Sequence, residues 1–147
     1  MELHVKPFNE LSAAELYSLL KLRAEVFVVE QTCIYNDLDG LDDQSDHLII
    51  TKNHLAVAIA RVLPPNTRFP QPSIGRVVVH PDFRKQALGK AIMQEAIRHT
   101  REKYGPQPIK ISAQLYLKKF YEDLGFQQAT PEYDEDGIPH IGMLFTH

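Results

Sequence analysis

The sequence predicts an α/β protein of the mixed kind, a single sheet with helices packed on its faces. Two observations carry this. Short apolar segments, alternating or continuous and bounded by Gly, Pro and Asn, have the pattern of strands, and elsewhere apolar residues recur at the spacing of amphipathic helices. The segments come in the order strand, helix, three strands, helix, strand, helix, two strands. Three strands in a row disfavour a strictly alternating doubly wound fold and favour one mixed sheet.

Leu3 and Val5 alternate with polar neighbours and predict a first strand ending near Pro7. Ser12 and Glu15 have capping-box spacing, and Leu16, Leu19, Leu20, Arg23, Val26 and Phe27 continue at helical spacing to about Val29. Residues 30–46 have no period and predict a loop of functional length. His47 to Lys52 and Leu55 to Leu63 predict a hairpin around Asn53 and His54, followed by a proline-rich connection from Pro64 to Pro72. Ile74 to Val79, with three successive valines, predicts a buried strand stopped by Pro81 and Asp82. From Leu88 the residues Ala91, Ile92, Ala96 and Ile97 lie on one helical face, and Gly105 and Pro106 end that helix. Ile109 to Ser112 predicts a strand, Leu115 to Leu124 a short helix closed by Gly125, and 126–129 and 140–145 the last strands, with Asp136-Gly137 as a turn between them.

At 147 residues the chain is expected to form one domain, 1–147, with a core that needs neither disulfide nor metal. The single Cys33 has no partner for an internal bridge, and no apolar run is long enough to cross a bilayer. MELHVKPFNE lacks a basic-then-apolar leader pattern, so the expected location is cytoplasmic. A formal net charge of −3 argues against nucleic acid as a partner. The charge is segregated: Asp37, Asp39, Asp42, Asp43 and Asp46 share one loop, whereas Arg84, Lys85 and Lys90 surround the start of the second long helix. That contrast suggests an acidic rim that attracts a cationic amine or is simply solvated, and a basic turn that binds an anion or is simply solvated. The basic turn has the stronger physical case, because a helix N-terminus offers unpaired N–H groups and about half a positive charge to phosphate. It has neither the Gly-Lys-Ser/Thr end of an ATP loop nor the three glycines of a dinucleotide fingerprint.

Three stretches together resemble the GCN5-related N-acetyltransferase (GNAT) superfamily and its ElaA-like branch: LRAEVFVVEQTCIYNDLDGLD, VVVHPDFRKQALGKAIM, and ISAQLYLKKFYEDLGF with YDEDGIPHIGM. The resemblance implies a mostly antiparallel twisted sheet of about six or seven strands, helices on both faces, and a splayed strand pair around acetyl-CoA. It assigns Arg84, Lys85, Gln86, Ala87, Leu88, Gly89 and Lys90 to the pyrophosphate, with Ala87 standing where the family usually has a glycine. If that position needs a positive φ, the methyl costs about 1 kcal/mol. Backbone groups of Val77, Val78 and Val79 are implied to face the pantetheine arm and Gln114 to hold it, and Tyr121 is implied to protonate the departing thiolate.

Acetyl transfer needs a neutral amine, and at pH 7 a lysine-like amine with a pKa of about 10.4 is neutral only about once in 2,500 molecules. A base therefore helps. Glu30, at the end of the first helix, is the leading candidate, with His140, His80 or a water as alternatives. Cys33 reads as a small buried hydrophobe, because direct transfer needs no acyl-enzyme. No His/Cys spacing suits a metal, and none is expected. The implied reaction is N-acetyl transfer to a small-molecule or peptide amine, without a membrane partner. An acyl-CoA-binding sensor with little turnover stays open, and a homodimer is the default oligomer.

Overall fold

The computed structural model describes residues 1–146. One mixed sheet forms its frame, built from β1 (Glu2–Pro7), β2 (Asp46–Lys52), β3 (Leu55–Leu63), β4 (Ser73–Val79), β5 (Ile109–Gln114), β6 (Phe126–Gln128), β7 (Tyr133–Glu135) and β8 (Ile138–Phe145). The strand order is β1-β2-β3-β4-β5-β8-β6, with β7 also paired to β8. All neighbours are antiparallel except β4 and β5. This is the mixed sheet the sequence predicts, with one strand more. Tyr133–Glu135 pairs with β8 across the Asp136-Gly137 turn, where the sequence suggests only a connection. Both turn residues have positive φ, 54° and 82°, so the short hairpin closes tightly.

The β2–β3 hairpin closes without glycine. Asn53 and His54 both adopt the left-handed region, at φ 51° and 66°, as a two-residue hairpin turn requires. β3 is central, and eight of its nine residues are buried. Helices cover both faces. α1 (Ala13–Arg23) packs Leu19 and Leu22 against Ile49, Ala56, Ile59 and Val78. On the other face α2 (Leu88–Tyr104) places Ile92, Met93, Ala96 and Ile97 over Val57, Val62 and Ile111, and α3 (Lys118–Asp123) adds Tyr121 to the same core. α1 starts on a complete capping box: Ser12 Oγ accepts from Glu15 N–H at 3.0 Å, and Glu15 Oε1 accepts from Ser12 N–H at 2.8 Å.

Two features of the first half differ from expectation. The first helix does not run on as α-helix; Ala24–Glu30 widens into a π-helix, with Gln31 N–H donating to Val26 O and Cys33 N–H to Val28 O. Asp43 is exposed, but the other four aspartates are ion-paired and are neither a solvated rim nor a free amine trap. Arg23 and Arg61 are buried to about 1% exposure, and Asp42 binds both, at 2.6 Å and 3.0 Å. Asp37 accepts from Arg23 Nε at 2.8 Å, and Asp39 takes both Arg61 terminal nitrogens. Asp46 pairs with His99 and Lys103. Burial works to raise the Asp42 and Asp39 carboxyls, but the arginines outweigh it and hold both below the usual range. A guanidinium inside an apolar core demands counter-charges, and the loop supplies them.

Candidate functional site

The cleft follows from how β4 joins its neighbours. Against β3, its register slips between Gly75 and Val78, leaving Arg76 at a positive φ of 50° in a bulge. Towards β5, only Ser73 and Lys110 pair, so the two parallel strands diverge beyond that point. The divergence opens a cavity of about 1050 Å³, lined by Val77, Val78 and Val79 on β4 and by Ile111, Ser112 and Gln114 on β5. The π-helix adds Val26, Phe27 and Glu30 to the wall, and α3 adds Phe120 and Tyr121. The π-helix ends the run that α1 begins, and its wider turn re-aims the side chains it carries.

At one end of the cleft lies the start of α2. A 3₁₀ turn, Pro81–Gln86, leads to Ala87, whose φ of 56° and ψ of 27° are left-handed, and the helix begins at the next residue. The first turn of α2 carries no acidic residue. Ala87, Gly89 and Lys90 line the cleft, as does Arg84; the exposed Lys85 and Gln86 do not, and the Leu88 side chain turns into the core. An added Cβ at Gly89 would meet Phe120 and Val79 at 3.6 Å, an ordinary van der Waals contact, so packing alone does not demand glycine there.

Arg84 is fully engaged. Its terminal nitrogens donate to both Glu30 oxygens, at 2.8 Å and 2.5 Å, and its Nε donates to Val79 O at 3.2 Å. The same guanidinium holds the Glu30 carboxyl below its ordinary range, which makes Glu30 a weak base. His80 is placed away from the cleft, its Nδ1 accepting from Asp82 N–H at 3.1 Å as a cap on the 3₁₀ turn. Gln114 lies within 3.4 Å of the Gln31 side chain at the cleft wall.

The three cleft tyrosines are distinguished by their surroundings. Tyr35 donates to Asp37 at 2.7 Å, and burial, with that carboxylate, pushes its hydroxyl well up. Tyr116 is 72% exposed. Tyr121 is 8% exposed, held edge-on between Phe120 and Phe126, and its hydroxyl has no hydrogen-bond partner among the described residues. Burial pushes its pKa up to about 12, so it holds its proton at every working pH. Cys33 also lines the cleft, with its thiol donating to Asp136 O at 3.2 Å. No group of three or more His, Cys, Asp or Glu among the described residues is placed to hold a metal, and no described helix is long and apolar enough to cross a membrane.

The chain has counterparts in sequence and in fold. Residues 12–146 match the family model described as an acetyltransferase (GNAT) domain. The chain belongs to the GNAT acetyltransferase family. It is 42% identical to Protein ElaA of Escherichia coli over 137 residues, which cover 92% of this chain and 90% of that protein. Identity to a UPF0039 protein of Synechocystis is 44% over 139 residues, 94% of this chain and 90% of the relative. The crystal structure of E. coli ElaA superposes with a TM-score of 0.92 at 38% identity over 98% of both chains. That of an acyl-CoA N-acyltransferase from Pseudomonas aeruginosa superposes at 0.93, with 39% identity over 99% of both. The chain is thus a GNAT acyltransferase of the ElaA-like branch.

Ala87 is where this GNAT chain departs from the usual glycine, and the left-handed cap explains the preference. Replacing Ala87 by Gly is expected to remove a conformational cost of about 1 kcal/mol and to raise the melting temperature by about 2–4 °C. Thermal unfolding of the two proteins checks this.

Proposed function

We propose that the chain moves the acetyl group of acetyl-CoA directly to a primary amine of a small molecule or peptide. The observation that carries this reading is the divergence of β4 from β5, which leaves one edge of Val77–Val79 without a strand partner and opens onto the start of α2. An extended, amide-bearing arm can occupy such an edge as an added strand does. At its end, the N–H groups of Ala87 to Lys90 together with Arg84 and Lys90 supply positive charge for a pyrophosphate. Val77–Val79 and Gln114 would hold the arm, and a backbone N–H of β4 would steady the thioester oxygen as charge develops.

When bound, acetyl-CoA supplies an activated acyl carbonyl and a thiolate leaving group. Tyr121 keeps its proton and faces the cleft, so it is assigned to give that proton to sulfur. Glu30 is reassigned from base to anchor of Arg84, because its carboxylate is committed to the guanidinium on both oxygens. Glu30→Gln is therefore expected to free Arg84 for phosphate and lower the KM for acetyl-CoA by about two- to fivefold, with kcat within about threefold of wild type. Loss of a base would instead cut kcat by about a hundredfold. Steady-state kinetics with acetyl-CoA as the varied substrate separate the two.

Amine-dependent release of free thiol from acetyl-CoA, measured with a panel of α-amines, alkylamines and N-terminal or lysine peptides, tests the function itself. The expected result is turnover with at least one amine class. Calorimetric binding of acetyl-CoA with no thiol release for any amine would turn the reading into that of an acyl-CoA sensor.

A further inference from the structure

The cleft contains a second cluster that neither the anion seat nor the acid uses: His140 on β8, Glu135 on β7, Arg68 from the β3–β4 connection and Ser112 on β5, all on the cavity wall. His140 is 6% exposed. Its Nδ1 lies 2.7 Å from the carbonyl oxygen of Ile138. A carbonyl only accepts, so Nδ1 carries the hydrogen, and in the neutral ring Nε2 is the bare nitrogen. Nε2 lies 3.3 Å from Glu135 Oε2. Two acceptors facing each other at that distance repel, whereas a proton arriving on Nε2 turns the contact into an ion pair. The other oxygen of Glu135 is fixed by Arg68 Nη2 at 2.6 Å and by Ser112 Oγ at 3.2 Å. The Tyr133 ring stacks on the imidazole with centroids 6.2 Å apart.

The geometry points to His140 as the base that takes the proton shed by the acceptor amine, with Glu135 as the residue that positions the ring and stabilises the imidazolium. This rests on the acetyl-transfer reading above. In the step, the amine nitrogen forms a bond to the acyl carbon as the carbon–sulfur bond breaks. The bonding pair leaves on sulfur, which receives the Tyr121 proton, and the proton lost by nitrogen goes to Nε2 of His140. Solvent then exchanges one proton for the other. The charged and titratable groups around the ring are Glu135 and Tyr133 of β7 and Arg68, which holds Glu135; Asp136, Cys33 and Tyr121 share the same cleft. Glu135 is the one whose carboxylate meets Nε2. A carboxylate there stabilises the imidazolium that forms in the step.

The test is the pH profile of kcat/KM for the amine in wild type, His140→Gln and Glu135→Gln, with acetyl-CoA affinity measured by calorimetry. Wild type is expected to lose activity on the acid side through two ionisations, the amine's own and one on the enzyme. His140→Gln should keep only the amine's and lose about a hundredfold in kcat/KM at pH 7, with acetyl-CoA affinity within about threefold. Glu135→Gln should lose about tenfold in kcat/KM with acetyl-CoA affinity likewise unchanged. A His140→Gln enzyme within about threefold of wild type and with both ionisations intact overturns the assignment. If that variant fails to bind acetyl-CoA, Glu135→Gln decides, and a kcat/KM within about threefold of wild type overturns it. If wild type releases no thiol with any amine, the acetyl-transfer reading fails and this base falls with it. A rapid wild type with an indifferent His140 sinks only the base.

Discussion

Tyr121→Phe lowers kcat at least tenfold and leaves acetyl-CoA affinity within about twofold: that is the outcome expected of a tyrosine whose ring packs and whose hydroxyl reacts. The ring contacts with Phe120 and Phe126 survive the substitution, and the hydroxyl leaves no partner behind, so the fold has no reason to change. The magnitude follows from the bond that is lost. A hydrogen bond to a charged group is worth about 1.5–3 kcal/mol, or roughly ten- to 150-fold in rate if it forms only as charge appears on sulfur. Since burial keeps the hydroxyl protonated to about pH 12, its removal should change the height of the pH–rate profile rather than its shape. Steady-state kinetics with a fast amine check it, and an unchanged kcat removes Tyr121 from the mechanism.

Asp42→Ala is expected to destabilise the protein by about 3 kcal/mol. Asp42 is the carboxylate shared by Arg23 and Arg61, and both guanidinia stay buried when it is gone. Each keeps another partner, Asp37 or Asp39, which sets the cost near the low end of the range for breaking a buried pair. Asp43, one residue away and exposed, is the control, with an expected change within about 0.5 kcal/mol on substitution by Ala. Denaturant unfolding measures both. The network also has a functional consequence. Asp39 and Arg76 are part of it and line the cleft, so it fixes the loop that forms one wall.

Local physics was legible in the sequence. The Ser12–Glu15 cap, the Asn53-His54 hairpin, the run of valines in β4 and the face of α2 each depend on neighbours a few residues apart, and each stands where its pattern predicts. Contacts between distant segments were not legible. Glu30 and Arg84 are 54 positions apart, and nothing local to either announces a bidentate pair. β7 is only three residues long and is defined by its partner, so its sequence reads as a turn. The aspartate loop left one trace that could have been followed. Arg23 falls on the apolar face of a helix and Arg61 inside an apolar strand, and two cations at core positions require buried anions from somewhere. The β4-to-α2 turn was legible because it follows from chain order. His140 stood in the sequence only as one of several candidate bases, because Arg68 and Ser112, which fix Glu135 beside it, come from segments far away in the chain.

Hydrogen exchange with and without acetyl-CoA tests most directly the claim that the gap between β4 and β5 is the seat of the co-substrate. The account predicts added protection of the amides of Val77–Val79 and of Ala87–Lys90, with little change in β1 and β2. Binding that protects neither segment, or that protects only the opposite face around α1, would contradict it.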